Sequence, residues 1–317
     1  MLPSIPAGVL FDYTVMQHNR IVYLSLFLLM AVIWGVTWPM YVVALRSFSP
    51  MLVAGLRNVL GAAALFGMLK VQGVPLPKEF REWKFLFYLG MLWIAIPYAM
   101  VFWGVQYTSS GMASVLNGTN PLFVALFSYF LLKNEKMTGA KILGLIVSFI
   151  GVVIIFSQKM TAGSERSLLA DVLMFVAAVF TGLAMVLAKR FGASYHSAVL
   201  IAVMMLFGGG TLIVSSAVFD QPVRFIVSFE SIFIILFLSL LSSAFGFVAY
   251  MWLLKRVDAV KLSMVAFLVP VIAIALGSAF LKEPVTILDI AGTVCVLSGL
   301  FVVNVLEPLV RRKSRFV

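Results

Sequence analysis

The sequence predicts an all-α integral membrane protein whose ten transmembrane helices form two inverted repeats of five. Three observations carry this expectation. The 317 residues are 63% hydrophobic and 11% charged, with a mean hydropathy of +1.11, against about 45–50% apolar and 25% charged in a soluble domain. The chain divides into apolar runs of spanning length, about 20 residues each. One pattern of Pro, Lys-Glu and Gly also returns 148 to 149 residues later.

In chain order, residues 1–20 contain Pro3, Pro6, Asp12 and Asn19 and lack a basic start, apolar core and cleavage site. They read as a cytoplasmic segment ahead of a retained first helix, not as a removed leader. The first unit, residues 21–157, places spans at 21–45, 50–70, 85–107, 111–132 and 139–157, bounded by charge, Gly or Pro. An external linker, 158–167, leads to the second unit, 168–306, with spans at 168–188, 194–218, 231–254, 260–281 and 285–306, and then to a basic tail at 307–317.

An even number of spans puts both termini on one side. Of the 23 Lys and Arg, 17 lie in the termini and the loops sharing their side, five lie in the opposite loops, and Arg57 lies within a span. Basic residues gather in cytoplasmic loops, so both termini are expected in the cytoplasm of a cell whose cytoplasmic (inner) membrane holds the chain. The same bias accounts for the net charge of +11 without a nucleic-acid partner, since no soluble module is left to present one. The lone Cys295 allows no internal disulfide, and His18 and His196 are too few for a metal site, so neither metal nor cofactor is expected.

The repeat is sparse but ordered. An offset of 149 superimposes Ala95 on Ala244, Trp103 on Trp252, Ser114 on Ser263, Pro121 on Pro270 and Lys133 on Lys282. After one gap, an offset of 148 matches Glu135 to Glu283, Gly144 to Gly292 and Gly151 to Gly299. Five spans is an odd number, so the second unit lies upside down relative to the first. Two similar halves of opposite orientation can exchange shapes around a site near the midplane, as secondary transporters do.

Candidate site residues follow from what a bilayer penalises. Prolines inside spans free backbone carbonyls: Pro39, Pro97, Pro121 and Pro270 release those of Gly35, Trp93, Asn117 and Ala266. Each is either a packing kink or part of a gate where broken turns meet, and Pro121 and Pro270, as repeat equivalents, suit the second role best. Ser114, Asn117, Thr119 and Asn120 make the fourth span unusually polar. Helical spacing puts Ser114, Asn117 and Pro121 on one face with Asn120 beside them, for substrate contact or interhelical adhesion. Arg57 lies seven residues inside its span, about 10 Å deep. It either snorkels to the headgroups or faces the interior, where it would hold a substrate carboxylate. Trp34, Thr37 and Trp38 form a stripe on the first span, and Tyr98 and Tyr250 offer a ring and a hydroxyl to a partly apolar ligand.

Other features read as structure. Trp83, Trp103 and Trp252 suit the interfacial belts. Ser239, Ser242, Ser243 and Gly246 read as a small-residue seam, as do Gly144, Ser148 and Gly151 and, on the last span, Gly292, Cys295 and Gly299. Glu135 and Glu283 read as solvated local partners of Lys133 and Lys282. Asp171 and Asp289 lie near span ends and no acid lies mid-span, so facilitated transport or exchange is expected over a membrane-centre proton carrier.

The chain resembles the drug/metabolite transporter superfamily, and within it the EamA-type permeases of ten helices. The resemblance runs from about residue 21 to 306 and rests on "WGVTWP" at Trp34–Pro39, Arg57, "YTSSGMASVLNGTNP" from Tyr107, "LLKNEKMTGAKILGLIVSFIGV" from Leu131, and the second copy around Pro270 and Glu283. It implies a multi-pass permease that moves small metabolites such as amino acids, by export, with a small-molecule substrate and the lipid bilayer as partners. A multidrug permease and a non-transporting scaffold are the alternatives, and monomer or homodimer stays open. No catalytic constellation of His with Asp, paired acids or metal ligands is visible, so an enzyme is not expected.

Overall fold

A computed structural model describes residues 7–132, 137–161, 165–192, 195–254 and 265–306. Lys133, Glu135, Lys255, Arg256, Lys261 and the basic tail 307–317 lie outside the described residues. The helices in chain order are α1 (Ala7–Ala44), α2 (Pro50–Val71), α3 (Phe80–Gly104), α4 (Ser110–Asn117), α5 (Asn120–Leu131), α6 (Gly139–Thr161), α7 (Glu165–Phe191) and α8 (Ser197–Phe219). Next come α9, made of Phe229–Leu236, Phe237–Phe245 and Gly246–Leu254 in continuity, α10 (Val265–Leu281) and α11, made of Ile287–Phe301 and Val302–Leu306. Among the described residues seven helices are long and apolar enough to cross a membrane, and Val265–Leu281 and Ile287–Phe301 are shorter apolar helices.

Two boundaries differ from expectation. The first helix begins at Ala7, not near residue 21, because no proline follows Pro6 until Pro39 and helix propagates back from the span. The fourth expected span is two helices. Gly118 and Thr119 turn between α4 and α5, Thr119 Oγ1 donates to the Leu116 carbonyl at 2.6 Å, and Pro121 opens α5 in its first turn, where a missing N–H costs nothing.

The distribution of side chains is that of a protein in lipid. Leu24, Leu28, Ile146, Ile150, Val153, Val214, Val218 and Val294 are exposed, whereas Arg57, Asn58, Ser114, Asp171, Ser242 and Ser243 are buried. Polar groups within a bilayer turn to the bundle interior because lipid offers them no partners.

The interior is organised by crossings between the two halves of the chain. α2 packs on α8, α6 on α11, α1 on α10, α4 and α5 on α7, α3 on α7 and α8, and α2 on the middle of α9. The α6–α11 seam is as the small residues predict. A Cβ on Gly144 would stand 2.7 Å from the Gly299 carbonyl, and one on Gly151 would stand 2.6 Å from that of Gly292. Ser148 Oγ closes the crossing with a 3.1 Å bond to the Val296 carbonyl.

Among the described residues three helices widen into π-type turns, α3 at Met91–Ala95, α9 at Phe237–Phe245 and α11 at its end, Val302–Leu306. In the first two an N–H reaches five residues back, Ile96 to Met91 and Gly246 to Leu241. In α3, Pro97 offers no N–H and crowds the preceding turn, which opens to accommodate it. In α9 the corresponding residue is Gly246, whose missing side chain makes room for the Trp34 indole: a Cβ there would lie 2.7 Å from Nε1.

One end of the bundle is tied by polar contacts. The Ser49 N–H donates to the Arg224 carbonyl at 3.0 Å and the Ile226 N–H to the Ser47 carbonyl at 2.9 Å, so the α1–α2 and α8–α9 connections run antiparallel. Asp220 accepts from the Met51 and Leu52 N–H groups at 2.9 and 3.3 Å, capping α2. Glu283 accepts from the Ser110 N–H at 3.0 Å and from Ser110 Oγ at 2.7 Å, capping α4 from the other half of the chain. The expected pairing of Glu283 with Lys282 is thereby corrected: Lys282 takes a left-handed conformation (φ 58°) that turns the chain, and the following carboxylate reaches the orphan N–H at the α4 terminus. At the opposite end the described contacts between α3 and the α7–α8 connection are aromatic, with Phe85 stacked on Tyr195 at 6.1 Å and edge-on to Phe191 at 6.4 Å.

Candidate functional site

The candidate site is built around Arg57. Its side chain is 2% exposed, so the headgroup-snorkelling alternative does not describe it. Gly61, one turn on, lets α2 lie against α9, where a Cβ would stand 3.0 Å from the Ser239 carbonyl. That approach delivers the guanidinium to the widened turn. Nε and Nη2 both donate to Ser243 Oγ, at 3.0 and 2.5 Å, and Nη2 also reaches Ser242 Oγ at 3.4 Å. Nη1 donates to the Tyr41 hydroxyl. The Tyr41 and Tyr98 rings each lie 5.2 Å from Cζ, near enough for cation–π attraction.

A guanidinium stays charged at any physiological pH, and an unpaired ion in a low-dielectric interior is expensive. Arg57 is surrounded by neutral hydroxyls and rings, and no carboxylate among the described residues bonds to it. The cage solvates the charge without neutralising it.

Ser242 joins this cage to α1. Its carbonyl accepts from Trp34 Nε1 at 3.1 Å and its hydroxyl is hydrogen-bonded to Thr37 Oγ1 at 2.8 Å, while the Thr37 hydroxyl donates its proton to the Ile33 carbonyl at 2.7 Å. A wall of rings continues from there. Trp34 packs on Tyr250 at 5.7 Å and on Phe247 at 6.2 Å, Trp38 on Tyr41 at 5.5 Å, and Tyr41 on Phe102 at 4.4 Å.

Six of the eight expected contact residues therefore assemble: Trp34, Thr37, Trp38, Arg57, Tyr98 and Tyr250. Asn117 and Asn120 do not join them. Both are half-buried beside the α4–α5 turn, and among the described residues neither makes a hydrogen bond or ring contact with the Arg57 group. The Gly118–Thr119 turn interrupts the α-helix between them. That turn meets α10: a Cβ on Gly118 would lie 3.8 Å from Pro270 Cγ, so the breaks at Pro121 and Pro270 adjoin. Pro97 is buried behind the α3 widening and Pro39 is buried on α1 between Trp38 and Tyr41.

Three contributors were not singled out by sequence reasoning. Ser242 and Ser243 read as a packing seam, and the structure corrects this, since the π-type turn aims both hydroxyls at Arg57. Tyr41 was missed, although Trp34, Trp38 and Tyr41 fall at i, i+4 and i+7 and share a helical face. Asp171 is fully buried in α7.

Comparison with known proteins fits this architecture. The EamA-like transporter family matches residues 21–157 and again residues 168–305. The uncharacterized transporter YoaV of Bacillus subtilis is 32% identical over 269 residues, 85% of this chain and 92% of that protein. The protein PecM of Dickeya dadantii is 26% identical over 285 residues, covering 89% and 92% of the two chains. A crystal structure at 17% identity superposes with a TM-score of 0.64 over 90% of this chain and 98% of its own, which shows a shared fold. The chain belongs to the EamA-like transporter family, and it is a multi-pass membrane transporter.

Proposed function

We propose that this member of the EamA-like transporter family exports small metabolites bearing a carboxylate, amino acids among them, across the cytoplasmic membrane by alternating access. The observation that carries the reading is Arg57, a buried and permanent cation held by Tyr41, Ser242 and Ser243 and walled by Tyr98 and Trp34. A carboxylate would complete its charge, and the rings would hold an apolar body. A permease selective for organic cations is disfavoured by the same charge.

The proposed machine has ten spans in two inverted units, 21–157 and 168–306. The pattern of contacts supports this. Exchanging the first five spans for the last five carries the pairing of α1 with α10 onto that of α5 with α7, and the pairing of α2 with α9 onto that of α8 with α3. The seam of Gly144 and Gly151 with Gly299 and Gly292 maps onto itself. The loop charges support cytoplasmic termini, which makes the polar ties of Ser49, Asp220 and Glu283 a closure at the outer end.

The test is counterflow in proteoliposomes loaded with single unlabelled amino acids and offered a labelled one. Saturable exchange that is lost in Arg57→Ala supports the reading. Equal exchange by Arg57→Ala removes it, and Asn117→Ala in parallel decides whether the α4–α5 turn contributes contact.

A further inference from the structure

The edge of a guanidinium that carries Nε and one Nη is the fork on which a carboxylate docks with two parallel hydrogen bonds. In Arg57 that edge is occupied. Nε and Nη2 converge on the single oxygen of Ser243, whose hydroxyl donates onward to the Leu238 carbonyl at 2.8 Å. Five residues separate Ser243 from Leu238, so this bond exists because the helix is widened there. We propose that Ser243 is a latch that stands in for the substrate carboxylate in the empty transporter, and that a carboxylate must displace it to bind. This rests on the reading of Arg57 as the carboxylate site.

The consequence is coupling. While Ser243 and Ser242 hold Arg57, α2 is bonded to the middle of α9, and through Ser242 to Thr37 and Trp34 of α1. A carboxylate that takes the Nε–Nη2 edge dissolves both bonds from Arg57 to Ser243 in one event and loosens the hold of α2 on the α9 turn. The contacts of the empty state and of the bound state exclude each other, which is what lets a ligand shift a two-state equilibrium.

The latch makes an unusual prediction for a residue touching the binding charge: its removal tightens binding. Without the hydroxyl, the empty protein leaves two charged N–H donors unsatisfied, whereas the occupied protein loses only the bond to the Leu238 carbonyl, which both states share. The probe is benzoate, titrated against the full-length protein in nanodiscs by tryptophan fluorescence and by thermal unfolding. Ser243→Ala is expected to bind benzoate about tenfold more tightly than the natural protein. It is also expected to unfold at a lower temperature when empty and to gain more from saturating benzoate. Ser243→Cys keeps the size with a weaker acceptor and is expected to shift the affinity in the same direction by a smaller factor, which covers a failure of the alanine variant to fold. Equal or weaker benzoate binding in the folded Ser243 variants, with binding abolished in Arg57→Gln, overturns the latch and leaves the Arg57 site standing. Benzoate binding that survives in Arg57→Gln, or is absent from every form, overturns the carboxylate site and the latch with it.

Discussion

Two helix crossings in this protein are built alike and filled differently. Where α2 meets α9, Gly61 lies against the Ser239 carbonyl, Arg57 stands four residues before Gly61, and Ser243 stands four residues after Ser239. Where α8 meets α3, a Cβ on Gly208 would lie 2.9 Å from the Gly90 carbonyl, Met204 stands four residues before Gly208, and Ile94 stands four residues after Gly90. Gly90 and Ser239 are 149 residues apart, and both host helices widen into a π-type turn at this level. The backbone device is duplicated; the charge and its hydroxyls are present once. Two like crossings thus hold unlike contents, a charge with its hydroxyls on one and close apolar packing on the other.

Substitutions that trade residues between the crossings test this, and the largest effect is expected from Met204→Arg. That change puts a cation at the crossing where Ile94 stands in the place of Ser243, and should cost several kcal/mol of stability, about 3–5 by analogy with uncompensated buried charges. The yield of monodisperse protein on size exclusion reads it, and adding Ile94→Ser should recover part of the loss. Survival of Met204→Arg at full yield would break the comparison.

The reverse exchange, Arg57→Met, should leave the fold intact or slightly more stable, because apolar replacement of a buried ion is often neutral or favourable. Carboxylate exchange should fall by about a hundredfold, the scale of a lost charged contact worth about 3 kcal/mol. Proteoliposome flux and thermal unfolding on the same preparation separate the two effects.

Alanine at the two glycines should rank the crossings by stiffness. At Gly208 the added methyl meets Ile94 Cβ at 2.6 Å and the Gly90 backbone, whereas at Gly61 the nearest atom is the mobile Met205 Cε at 2.5 Å. Overpacking costs about 1–3 kcal/mol, with Gly208→Ala expected at the upper end and Gly61→Ala at the lower. Only Gly61→Ala should also alter exchange, by shifting Arg57 against Ser243. The smallest effect belongs to Thr37→Val, which removes one neutral hydrogen bond to Ser242, about 1 kcal/mol. A loss of flux in that variant as large as in Arg57→Met would move the functional centre from α2 to α1.

The legible part of the site was its charge. Arg57 stands out in any reading because an ionised side chain inside an apolar run has few bland explanations. Its hydrogen-bond partners were not legible. Ser242 and Ser243 lie 185 and 186 positions away, and serines in a span serve equally as small packing residues until the turn that aims them is known. Asn117 and Asn120 show a different limit: helical spacing gives them a shared face, and the Gly118–Thr119 turn interrupts the helix between them. Glu283 next to Lys282 suggested a local pair, whereas backbone geometry sends the carboxylate to Ser110, 173 positions away.

Composition and run length determined by themselves that this chain lives in a bilayer, where most of its helices run, and that Arg57 needs an explanation. They suffice because lipid imposes one rule on every residue independently: backbone groups must be bonded within the helix and charges must be hidden. Which groups hide the charge was decided only by the tertiary structure. That depends on the rotation of α9 about its own axis at a widened turn, and on a glycine in α2 that sets the distance between the two helices. Both are properties of a crossing, and no single stretch of sequence contains them.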